Sequence, residues 1–117
     1  MKDVLKNKSY KFAIEIVTLY KHLYSDNKEY VLSKQLLRSG TAIGALVSET
    51  EFAQSKADFV HKLSIALKEA NETNYWLELL KDSGYISNEQ CDQFHPHCQE
   101  IIKMLVSSIK TLKGVRS

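Results

Sequence analysis

Proline occurs once and glycine four times in 117 residues, so the chain has few of the residues that stop helices or build tight turns. No apolar run approaches the roughly 18 residues that a bilayer-spanning helix needs, which excludes a transmembrane helix. Strand-like alternation of apolar and polar residues is almost absent, so a sheet protein is excluded as well. Cysteine is limited to Cys91 and Cys98. Seven residues apart on a helix they stand about 10 Å apart along the axis, too far for a disulfide. Free thiols and a reducing compartment are expected. The opening residues MKDVLKNKSYKF lack the apolar stretch of a secretory signal, so the expected location is cytoplasmic, with no membrane partner. Repeats and low-complexity linkers are also missing.

What is present is ordinary globular composition, 44% hydrophobic and 26% charged, in a length that suits one domain over residues 1–117. The net charge of +2 conceals an uneven distribution. Residues 1–14 carry Lys2, Lys6, Lys8 and Lys11 against Asp3, and residues 101–117 carry Lys103, Lys110, Lys113 and Arg116 with no acid. The two ends sum to +3 and +4, and residues 15–100, with eight basic and thirteen acidic side chains, to −5.

Helical periodicity runs through nearly the whole chain and predicts four helices, over about 7–24, 33–54, 56–82 and 87–113. In the first, Phe12, Ala13, Ile16, Val17, Leu19, Tyr20, Leu23 and Tyr24 form a face broad enough to touch two neighbours. Ser33 is the expected N-cap of the second. A single rod from Ser33 to Lys81 would be roughly 70 Å long, whereas a compact domain of this size has a radius of gyration of about 14 Å. The chain must therefore turn near Gln54 to Ala57, with Ser55 and Asp58 opening the third helix. Gly84 suits the left-handed position that ends it. Ser87 and Gln90 form a capping box for the fourth helix, where Pro96 predicts a bend or restart near Asp92 to Pro96. The fold class that follows is all-α, an up-down-up-down antiparallel four-helix bundle. This topology brings both basic ends to one pole and marks Lys2, Lys6, Lys8, Lys11, Lys103, Lys110, Lys113 and Arg116 as a candidate phosphate-binding footprint for RNA or DNA.

The segment QLLRSGTAIGALVSE, residues 35–49, places Gly40 and Gly44 one turn apart inside a helix, at a cost of about 1 kcal/mol each relative to alanine. That loss is offset where backbones approach closely, so the pair reads as a packing surface. Without a preceding strand it does not read as a phosphate loop. Arg38 is within reach of Glu49, Glu69 or Glu72 across the second and third helices, as an ion-pair network or a polar site at an assembly axis. Adjacent Tyr75 and Trp76 cannot both face one core, so one of them turns to a neighbour.

Cys91, His95 and Cys98, with His97 beside them, are the sole metal-like constellation, at i, i+4 and i+7, but a fourth ligand is missing and Pro96 interrupts the spacing. Buried thiols are the plainer reading, and no cofactor is expected. General acid–base cleavage finds no support either: His22 and His61 are isolated and neither arginine has a nearby histidine.

The run from Ser33 to Ser87 resembles the bacterial four-helix-bundle family of 23S ribosomal RNA intervening-sequence proteins, and more distantly the accessory protein of diversity-generating retroelements. Gln35, Arg38, Ser39, Gly40, Ile43, Gly44, Ala45 and Glu49 carry the likeness on the second helix. Asp58, Phe59, Ala66, Glu69, Ala70, Glu72, Thr73, Tyr75, Trp76 and Leu77 carry it on the third. The family pattern has Ser and Asn where this chain has Ala42 and Leu46. The resemblance implies a ring-like homo-oligomer, a pentamer, without established catalysis, and an RNA or DNA partner or a nucleic-acid-processing protein. Arg38, Gly40, Gly44, Glu49, Glu69, Glu72, Tyr75 and Trp76 are then the packing and assembly residues. The expectation is a non-enzymatic scaffold. Its alternatives are a protein-interaction scaffold without nucleic acid and a metal-dependent enzyme using Cys91, His95 and Cys98.

Overall fold

A computed structural model describes the backbone of residues 2–114 and the side chains of residues 4–114. Four helices follow in order: α1 (Lys2–Ser25), α2 (Leu32–Glu49), α3 (Lys56–Asp82) and α4 (Asn88–Lys113), with one 3-10 turn at Thr50–Phe52 between α2 and α3. Each helix packs on the next and α4 returns to α1, while the backbones of the diagonal pairs stay further apart among the described residues. This is the expected up-down bundle, 45 × 27 × 20 Å with a radius of gyration of 14.7 Å. Its axis is filled by Phe12, Ile16 and Leu23 of α1, Leu36 and Ile43 of α2, Leu77 and Leu80 of α3, and Ile101 and Leu105 of α4, all fully buried.

The tightest approach is between α1 and α2. A β-carbon placed on Gly40 would stand 2.8 Å from the side chain of Ile16, and one on Gly44 would stand 3.1 Å from the backbone oxygen of Ser9. Ser9 and Ile16 are themselves fully buried. The glycines thus let α2 settle onto α1 closer than any side chain permits, which is the packing role expected of them.

The helix ends show where local chemistry decides the path. α3 begins with the amide of Asp58 donating to Ser55 Oγ at 3.0 Å, while the short Asp58 carboxylate accepts from Gln54 N at 3.1 Å. α3 ends at Gly84, left-handed at φ 84°, with Gly84 N donating to Lys81 O at 3.0 Å and Tyr85 N to Leu80 O at 2.9 Å. Those two bonds make the Schellman stop, and Ile86 folds back into the core. Ser87 and Gln90 then complete the capping box of α4.

Four expectations require correction. α1 starts at Lys2 and not at residue 7. α2 ends at Glu49 and tightens into the 3-10 turn, so the chain reverses after Phe52. Ser33 is not the N-cap of α2: it is buried one position inside the helix. Glu29 does that work instead, its carboxylate accepting from the amides of Val31 (3.2 Å), Leu32 (2.9 Å) and Ser33 (2.7 Å). Finally, α4 continues without a restart through Pro96. Pro96 and Asp92 are both exposed, so the Asp92 carbonyl that loses its amide partner lies on the solvent side of the helix and not in the core.

Two outcomes follow. Gly40→Ala gains about 1 kcal/mol of helix propensity but forces Ile16 out of a filled core at about 1–3 kcal/mol. It should lower stability in urea unfolding, and the loss should shrink when Ile16→Ala is combined with it. Burial opposes the Glu29 charge, yet its backbone amide donors outweigh that and hold the pKa below the ordinary glutamate value. A depressed folded pKa contributes stability that is complete above the unfolded value and lost as pH falls through the folded one. Glu29→Gln should therefore destabilise by about 1–2 kcal/mol at neutral pH, with the gap to the parent closing as the solution is acidified.

Candidate nucleic-acid and assembly surfaces

On the α2–α3 face Arg38 Nη1 meets Glu69 Oε1 at 3.2 Å and Nη2 makes a close contact with Glu72 Oε2. Trp76 donates its indole N–H to the same Glu72 oxygen at 3.1 Å. Slight burial works against the arginine charge, but Glu72 and then Glu69 outweigh it and raise its pKa. Beneath this cluster the hydroxyls of Thr73 and Ser39 lie 2.8 Å apart, both fully buried. One guanidinium therefore ties two turns of α3 to one point of α2 and orients the indole. Of the expected partners of Arg38, Glu49 is not one: it pairs with Lys62 at 3.6 Å near the far end of the helix, three turns from Arg38. Leu46 packs against the core, where the related pattern has a polar residue. Tyr75 points to solvent and Trp76 leans on the core, their rings 5.1 Å apart and edge-on.

The basic residues divide into two sets. Lys6 is paired with Glu51 at 3.8 Å and Lys8 with Glu100 at 3.0 Å, so both already have a carboxylate partner within the protein. Lys11, Lys103, Lys110 and Lys113 are exposed and form no ion pair among the described residues. Lys2 and Arg116 lie outside the described side chains. Since Leu5 and Leu112 line one recess and Glu15 meets His97 at 2.9 Å, the start of α1 does lie beside the end of α4. The pole is mixed: Lys56 joins Lys113 there, while Glu49, Glu51 and Asp58 share it, and Lys11 lies further along the bundle in a groove with Glu15, His97 and Glu100.

Sequence reasoning read Ala13, Val17, Tyr20 and Tyr24 into one broad face of α1 but missed Tyr10 and Ile14 on its outer surface. Tyr10 is 67% and Ile14 52% exposed, and with Ala13, Val17, Tyr20 and Tyr24 they make an apolar stripe at helical spacing, away from the stripe that enters the core. Tyr24 continues it onto Tyr30, with ring centroids 4.8 Å apart. The signal was in the breadth of the apolar face, wider than one core requires.

Cys91 and Cys98 are free and buried, and Cys98 Sγ donates to Ala70 O at 3.4 Å. Burial pushes the Cys98 thiol up to about 12. His95 turns instead to Glu78 at 3.3 Å and Gln99 at 3.4 Å, so the three do not converge. Among the described residues no group of His, Cys, Asp and Glu is placed to hold a metal, and no helix is long and apolar enough to cross a membrane.

An all-α up-down bundle with a glycine-spaced α1–α2 contact and an arginine clamped between two α3 glutamates defines the class. The model of the 23S rRNA-intervening sequence protein family matches residues 2–107, and the chain belongs to that family. It is similar to a crystal structure of a protein with unknown function from the S23 ribosomal protein family of Bacteroides thetaiotaomicron. The two are 58% identical with a TM-score of 0.92, covering 94% of this chain and 99% of that one. Among curated proteins none matches the chain.

Arg38→Met should leave the fold intact and lower stability by no more than about 1 kcal/mol, because the arginine is half exposed and solvent screens the pair. Trp76, the sole tryptophan, should change its emission as Glu72 is released from Arg38; an unaltered spectrum would argue against the clamp.

Proposed function

We propose that this protein is a non-enzymatic, homo-oligomeric scaffold, a ring of bundles and most simply a pentamer, whose lysine-bearing surface contacts nucleic-acid phosphates. The observation that carries the assembly is the outer apolar stripe of α1, with Tyr10, Ile14 and Tyr24 exposed and Ala13, Val17 and Tyr20 half-buried between them. A contiguous apolar surface of this kind is what subunit contacts cover. Repetition of one chain around a ring multiplies the field of its free lysines, Lys11, Lys103, Lys110 and Lys113. The family name connects these proteins with ribosomal RNA genes, which makes RNA the first ligand to test. The Arg38 cluster is the polar element that fixes α2 against α3 within each subunit. The thiols and histidines are structural in this reading, and the setting is the reducing cytoplasm.

Light scattering should give a mass several times 13.4 kDa, and Ile14→Glu with Tyr10→Glu should reduce it to a monomer that keeps its helical circular dichroism. Filter binding with single-stranded RNA should weaken steeply with salt, with a log–log slope of roughly −3 if about four phosphates are neutralised per subunit. Lys103→Glu with Lys110→Glu should flatten that slope. Absence of binding to RNA and DNA at low salt would leave a protein-interaction scaffold.

A further inference from the structure

Where α1 starts and α4 ends, the described residues frame a recess in the core. The recess of about 250 Å³ is lined by Leu5, Val47, Phe59, Leu63 and Leu112, together with Thr50, Ser108 and Thr111. All four helices contribute, and Leu5, Val47 and Leu63 on its floor belong to the buried core. A cavity of about 150 Å³ walled by aliphatic and aromatic side chains is large enough to hold benzene, so this one accommodates a longer apolar group. At its mouth Leu112 is shared with a shallow concavity formed by Lys56, Ala57, Val60 and Lys113. Both lysines are exposed and neither is ion-paired among the described residues. Of the acids at this pole, Glu51 pairs with Lys6 and Glu49 with Lys62, while Asp58 keeps its charge and accepts from the Gln54 amide. An apolar well with two free ammonium groups on its lip is complementary to an amphiphile with one aliphatic chain and one anionic head.

We propose that this pole is a binding site for a medium-chain carboxylate, the aliphatic chain in the Leu5–Val47–Leu63–Leu112 recess and the carboxylate between Lys56 and Lys113. Neither the scaffold nor the phosphate contacts require such a site.

Decanoate, decanol and decyltrimethylammonium, each below its micelle concentration, are titrated into the full-length protein by calorimetry, with methyl NMR following Leu5, Val47, Leu63 and Leu112. Decanoate should bind saturably at one site per chain, shift those methyls, and bind more tightly than the other two. Lys56→Glu with Lys113→Glu should weaken decanoate about tenfold, as loss of two exposed ion pairs allows, while leaving decanol unchanged. Ser108→Phe, on the half-buried wall, should abolish binding of all three without loss of helical signal, and Thr111→Phe serves if that variant misfolds. Equal affinity for all three probes overturns the proposal, as does the absence of saturable heat and methyl shifts. If decanoate binds only after Ile14→Glu with Tyr10→Glu has broken self-association, the occupant is a second copy and the proposal falls.

Discussion

The bundle depends on one contact, the seating of α2 on α1 at Gly40 and Gly44. With Ile16 2.8 Å from where a Gly40 β-carbon would lie and the Ser9 carbonyl 3.1 Å from a Gly44 one, the rotation of both helices is set to within a small angle. On α1 that rotation sends Leu5, Ser9, Phe12, Ile16, Leu19 and Leu23 inward and leaves Tyr10 and Ile14 outside. On α2 it turns Ser39 and Arg38 toward α3, where Thr73, Glu69 and Glu72 receive them. Two positions without side chains therefore determine both the inner core and the outer apolar stripe.

Polar chemistry directs the chain mainly at its helix ends, and the charges serve structure more than their number suggests. Lys6, Lys8, Lys62 and Arg38 all meet carboxylates on other helices or on the 3-10 turn, and three of the four histidines sit beside one. Exposed pairs of this kind contribute little stability each, but they decide which cations remain for a partner. The basic ends of the sequence supply fewer free charges than a count of lysines implies, because folding brings Glu51 and Glu100 alongside.

Much of this was legible in the sequence. Helical period, the Ser55, Gly84 and Ser87 signals and the small-residue spacing of Gly40 and Gly44 each act over a few residues, so local pattern suffices to read them. The Arg38–Glu69–Glu72 meeting was also within reach, since three residues at helical spacing on adjacent helices have few other arrangements. Ser33 misled because serine is a common N-cap; a glutamate reaching from outside the helix satisfies three amides where a serine serves one. Pro96 misled because its cost depends on whether the Asp92 carbonyl is wet, which only the fold decides. The divergence of Cys91, His95 and Cys98 was hidden for a similar reason: equal spacing along one helix does not say which side chains its two neighbours will claim.

The link between α3 and α4 carries a further consequence. From Leu80 to Gln90 the turns are closed by partners within six residues, first in the Schellman bonds and then in the capping box. Loop closure here is short, and its entropic cost is small beside that of the longer-range docking of α4 on α1. The second half of the chain therefore has the means to form a helical hairpin on its own schedule. The first half must wait for two helix backbones to come within touching distance before its glycines are of any use.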